Sequence, residues 1–111
     1  MKDIVIIGAG GFGREVAWLI EDINELEERW NLIGFVDDDP SLIGKIINGY
    51  EVLGNIDWLI KQELYVVNAI GNPNIKKKTI ERLFGSKNKF PVLIHPSVRC
   101  SKSVKYGEGS R

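Results

Sequence analysis

A chain of 111 residues has room for one domain and little more. Apolar residues make up 43% of it and charged residues 27%, an ordinary balance for a soluble globular chain. Its 15 basic and 15 acidic residues cancel, so no long-range field draws it to nucleic acid or to a membrane surface. No apolar stretch approaches the roughly 20 residues that a membrane span needs. The chain opens directly on a strand-like run without a signal segment, and its single cysteine, Cys100, leaves no internal disulfide. A cytoplasmic protein is expected. Cys100 reads as a small core residue, and no metal site is expected.

The first strand is expected over residues 3–7. Ile4-Val5-Ile6-Ile7 is β-branched throughout, which suits a strand covered on both faces. It runs into Gly8-Ala9-Gly10-Gly11-Phe12-Gly13, where Gly8, Gly10 and Gly13 fit G-x-G-x-x-G and Gly11 is a fourth glycine. The first glycine permits a tight turn, the second lets backbone approach a ligand's phosphates, and the third lets helix and strand pack closely. The helix that follows aims N–H groups and the positive end of its dipole at the same spot. A diphosphate is the natural occupant, although such a turn can also be purely structural. Val16, Ala17, Leu19, Ile20, Ile23 and Leu26 give that helix a broad apolar stripe. Trp18 falls between its faces and reads as packing against the sheet or a neighbouring chain. In the first turn Glu15 suits the dipole. Arg14 does not, so it either swings out to solvent or faces an anion.

Leu32–Val36 is the second expected strand, closed by Asp37-Asp38-Asp39-Pro40. In a dinucleotide-binding fold an acid at this strand end hydrogen-bonds a ribose hydroxyl. Asp37 stands 24 positions past Gly13, near the usual spacing of about 20, yet aspartates also favour turns on their own account. Asn48-Gly49 between Ile43–Ile47 and Tyr50–Gly54 signals a hairpin. Asn55 caps a short helix through Ile60. A third buried-strand run, Tyr65–Ile70, leads into Gly71-Asn72-Pro73, a cap followed by proline at the first helical position. That helix carries Ile75, Ile80, Leu83 and Phe84, stops near Gly85, and holds Lys76-Lys77-Lys78 on a solvated face. Parallel strands joined by helical crossovers bring Gly8–Arg14, Asp37–Asp38 and Gly71–Asn72 to one crevice at the C-terminal edge of the sheet.

Phe90–Ile94 reads as one more strand. Beyond it the pattern changes. Ile94, Cys100 and Tyr106 are six apart, and so are Val92, Val98 and Val104. Two interleaved series with this period suggest hexapeptide β-helix repeats, of which one partial coil cannot bury its own face.

Ile6–Glu15, Gly34-Phe35-Val36-Asp37-Asp38, Ala69-Ile70-Gly71-Asn72 and Ile94-His95-Pro96-Ser97 together resemble the N-terminal domain of the bacterial sialic-acid O-acetyltransferase and UDP-amino-sugar N-acetyltransferase family. These are hexapeptide-repeat acyltransferases of surface-sugar biosynthesis. The resemblance implies an α/β fold, a Rossmann-like parallel sheet flanked by helices over residues 1–93. The beginning of a left-handed β-helix, cut short, would occupy residues 94–111. The first part would hold a UDP- or CMP-linked sugar. Gly8, Gly10, Gly11, Phe12, Gly13 and Arg14 would lie near phosphates and sugar, Asp37 and Asp38 on the nucleoside, and Gly71 and Asn72 beside it. The β-helix would take acetyl-CoA as co-substrate between subunits of a homotrimer and supply the catalytic histidine. His95 matches the entry to the repeats and not that base. This stretch is therefore expected to bind its substrate without catalysing, to hold no cofactor itself, and to be a monomer if the trimer belongs to the β-helix. A nicotinamide-dinucleotide module of an oxidoreductase or redox sensor explains Gly8, Gly10, Gly13 and Asp37 equally well, but not the six-residue period.

Overall fold

The computed structural model describes residues 2–10, 12–91 and 93. In chain order these form β1 (Lys2–Ile7), α1 (Gly13–Leu26), β2 (Trp30–Val36), β3 (Ile46–Ile47), β4 (Tyr50–Gly54), α2 (Ile56–Ile60), β5 (Tyr65–Asn68) and α3 (Pro73–Leu83). One sheet holds all five strands in the order β3-β4-β2-β1-β5. β1 runs parallel to both β2 and β5, and β4 runs parallel to β2. Only β3, at one edge, is antiparallel to its neighbour.

The centre of the sheet follows from the composition of β1. Successive side chains point to opposite faces. Ile4 and Ile6 therefore join Phe35 and Val52 beneath Ala17, Ile20 and Ile23 of α1. Val5 and Ile7 join Val36 and Val66 beneath Ile56, Leu59 and Leu83 on the other face. The last four side chains of β1, Ile4 to Ile7, are fully buried. Each such burial is worth about 1.5–3 kcal/mol, which explains why no polar residue interrupts this run.

The hairpin forms as expected, with Asn48 at φ 58° and Gly49 at φ 87°. Two consecutive positive φ values define the turn whose twist matches paired strands. Its first arm is shorter than the apolar run suggests, because residues 41–44 form turns. The Asp39 carboxylate accepts from the Ser41 amide and hydroxyl and so diverts the chain there. β5 likewise stops at Asn68 and not at Ile70: the Asn68 side-chain oxygen accepts from the Ile70 amide and turns the backbone.

Two expectations need correction. Ile80 and Phe84 do not face the core: they are 45% and 91% exposed. The buried line of α3 is Thr79–Leu83, one helical turn apart, and Ile80 and Phe84 fall beside it. The strand expected over 90–94 is not formed by Phe90, Pro91 or Leu93. Pairing with β5 comes earlier, at Lys89, whose carbonyl accepts from Val66 and whose amide donates to Leu64. Pro91 has no N–H with which to extend it. Val92, Ile94, His95, Cys100 and the rest of the hexapeptide series lie outside the described residues, as does Gly11.

Candidate functional site

The turn leaving β1 is held by glycines that do different work. Gly8 sits at φ +99°, a conformation side chains rarely adopt, and its amide donates to the Val36 carbonyl at 2.8 Å. A Cβ on Gly13 would overlap the Gly8 carbonyl oxygen and crowd Phe35. Gly13 therefore lets α1 start directly against the turn. Gly10 has nothing within 4 Å of where its Cβ would be. Packing therefore does not require glycine there, and the backbone at this position is open to close approach.

At the end of β2, Asp37 braces this turn. One carboxylate oxygen accepts from the Ala9 amide at 3.0 Å, the other from the Asp39 amide at 2.9 Å. Asp38 faces the other way. It accepts from the Ile56 amide at the start of α2 (3.0 Å) and from Arg82 of α3 (2.7 Å), which also reaches Asp57 at 3.0 Å. Partial burial pushes the Asp38 carboxyl up, but the Ile56 amide and the Arg82 guanidinium outweigh it and hold the group below its ordinary value. Adjacent acids thus have separate duties: Asp37 shapes the glycine turn, and Asp38 ties two helices to the strand end.

The second strand-to-helix junction brings Gly71 beside the first. A Cβ on Gly71 would meet the Phe12 ring at 3.1 Å, so the two loops touch through that ring. Phe12 is otherwise exposed. Asn72 uses its side-chain oxygen to cap α3, accepting from Asn74 and Ile75.

Between these parts lies a crevice of about 350 Å³. Gly8, Gly10, Asp37, Asp38 and Gly71 contribute its backbone and carboxylate lining, and Ile7, Ile56, Ile70, Ile75 and Thr79 the rest. Five of the ten residues expected at the site thus share one cavity. Gly13 supports it from behind, Phe12 borders Gly71, and Asn72 is occupied with its helix. Arg14 is exposed and lines a second hollow of about 320 Å³ with Ala9, Gly10, Glu15 and Trp18. Trp18 is 52% exposed and does not pack on the sheet as one reading of the sequence had it. The contributions of Ile56, Thr79 and Arg82 were not anticipated. The one signal for Thr79 was its place between Ile75 and Leu83 at four-residue spacing. Among the described residues no cluster of His, Cys, Asp or Glu could hold a metal, and no helix is long and apolar enough to cross a membrane.

A parallel sheet with helices on both faces, a glycine turn at the start of α1 and an acid bracing it from the next strand define a Rossmann-like domain. More particularly, residues 3–83 match the model of the PglD N-terminal domain, and the chain belongs to that family. It is 32% identical over 114 aligned positions to the UDP-N-acetylbacillosamine N-acetyltransferase of Bacillus subtilis (strain 168), covering 99% of this chain and 50% of that protein. The chain thus spans about half the length of the curated relative it matches. Among solved structures, the acetyltransferase domain of PglB from Neisseria gonorrhoeae FA1090 in complex with acetyl coenzyme A superposes with a TM-score of 0.70 at 31% identity, over 86% of this chain and 44% of that one. A Rex-family repressor, RSP, follows with a TM-score of 0.56 at 27% identity, over 88% and 50%. These findings bear out the acetyltransferase-family resemblance and the Rossmann-like fold drawn from the sequence. The six-residue period lies beyond what they test.

Proposed function

We propose that this chain holds a UDP-linked amino sugar for an acetyl-CoA-dependent N-acetyltransferase of bacterial surface-glycan biosynthesis. The observation that carries the reading is Gly10, left bare beside a crevice framed by two loops and braced by Asp37. The diphosphate would sit against the Gly10 backbone and the start of α1, where no protein side chain caps the helix. Asp37 has lone pairs left after binding Ala9 and Asp39, enough to accept from a ribose hydroxyl. Arg14 and Phe12 would border the sugar, with Gly71 and Asn72 beside the nucleoside. Support for a UDP-sugar comes from the name of the Bacillus subtilis relative, and for acetyl-CoA from the PglB complex.

Acetyl transfer to an amine needs the nitrogen to attack the thioester carbonyl, a base to take the proton, and the thiolate of coenzyme A to leave. We assign that step, the acetyl-CoA site and the homotrimer to the part of the protein that follows this domain, and to this chain the seating of the acceptor. The likeness to the Rex-family repressor, also solved with NADH, favours a second reading in which the crevice takes a nicotinamide dinucleotide. Both identity and TM-score are lower there than for the acetyltransferase domain. Calorimetry with UDP, CMP, NAD and acetyl-CoA decides. Saturable binding of UDP, with no binding of acetyl-CoA to this chain, is expected. Binding of NAD alone would overturn the assignment, and CMP in preference to UDP would move the substrate to a CMP-linked sugar.

A further inference from the structure

Thr79 is the one polar residue buried among the described residues, at 5% exposed, and it lines the crevice. Its hydroxyl donates to the Ile75 carbonyl one turn back, at 2.9 Å. A hydroxyl has one hydrogen and two lone pairs. The hydrogen is spent, and no donor among the described residues reaches the oxygen. The bond to Ile75 satisfies the hydroxyl within the helix and fixes its hydrogen, so what it offers the crevice is acceptor capacity alone. With its hydrogen given to Ile75, Thr79 can only accept from a group in the crevice, and its oxygen keeps lone pairs available for that.

Its surroundings indicate the partner. Ile56, Ile70 and Ile75 line the same cavity and offer aliphatic contacts suited to a flat ring. Thr79 is six residues along α3 from Pro73, or ~9 Å along the helix axis, so it lines the crevice away from the start of α3. We infer that Thr79 reads the base of the bound nucleotide, its hydroxyl oxygen accepting from the N3–H of uracil. This rests on the proposed UDP-sugar reading of the crevice and names the atom that would select the base.

The test is a cycle of two proteins and two ligands, followed by calorimetry: wild type and Thr79→Val, each with UDP and with 3-methyl-UDP, whose base has no N3–H. Valine keeps the branched shape and puts a methyl group where the hydroxyl was, which also ends the bond to Ile75. Wild type should bind UDP roughly 3- to 10-fold more tightly than Thr79→Val does. The methylated ligand should be weakened in wild type, with its penalty largely gone in the variant, because both changes remove the same bond. Thr79→Ser, which keeps the acceptor, should stay within about twofold of wild type. Thermal unfolding of each variant separates a lost contact from a lost fold. Unchanged UDP affinity in Thr79→Val, or an equal methyl penalty in both proteins, would overturn the assignment while leaving the crevice reading intact. Absence of UDP binding by wild type would overturn both.

Discussion

The two strand-to-helix junctions at the C-terminal edge of the sheet solve the same problem in opposite ways. Before α3, Asn72 folds its own side chain back onto the Asn74 and Ile75 amides, and the helix start is closed. Before α1, no side chain caps the helix, and the turn is steadied from 28 residues away by Asp37 on the Ala9 amide. A local cap is the simpler stabiliser, typically worth about 1 kcal/mol, but it uses up the amides an anion would need. A helix entrance kept open for a ligand has to be braced from outside. That contrast is what favours the proposed diphosphate seat at the first junction, with the second as a wall.

Substitutions can break the contrast in a definite order. Gly13→Ala should have the largest effect, about 3 kcal/mol or more of lost stability by urea unfolding, since its methyl would overlap the Gly8 carbonyl oxygen. Gly10→Val should act on function alone. With open space around it, stability should stay within about 0.5 kcal/mol of wild type, while UDP affinity falls at least ~30-fold, about 2 kcal/mol; retained affinity would remove the diphosphate from this turn. Asp37→Ala should lower stability and UDP affinity together, by about 1–3 kcal/mol, because it orphans the Ala9 amide. Asn72→Ala should cost about 1 kcal/mol of stability with UDP affinity unchanged; a parallel loss of binding would show that the second junction is a ligand site too.

The smallest effect distinguishes the neighbouring acids by pH. The Asp38 carboxyl lies below its ordinary value when folded, so its contribution to stability is complete above about pH 4 and disappears as pH falls through the lower folded value. Asp38→Asn should flatten the acid limb of the stability profile, modestly, since the Asp38 and Arg82 side chains are 52% and 40% exposed.

Much of this architecture was legible in the sequence because its causes are local. The β-branched Ile4–Ile7 run, the Asn48-Gly49 turn and the caps at Asn55 and Asn72 each act within a few residues, and all appear where expected. Five crevice residues were likewise foreseeable, since parallel topology brings strand ends to one edge. What stayed hidden depends on contacts across the chain. The bond from Ala9 to Asp37 and the ion pair between Asp38 and Arg82, 44 positions apart, have no sequence signature. The phase of α3 was misjudged because its apolar residues do not mark its buried side: Thr79 lies inside, while Ile80 and Phe84 lie out.

Contact between the Phe12 ring and Gly71 carries a consequence for remodelling this domain. Because a side chain at 71 would begin 3.1 Å from the ring and push it aside, the two loops are matched in size and are best exchanged together. A graft that brings a bulkier residue to position 71 fits most easily with a slimmer one at position 12, so the two loops are best moved as a pair.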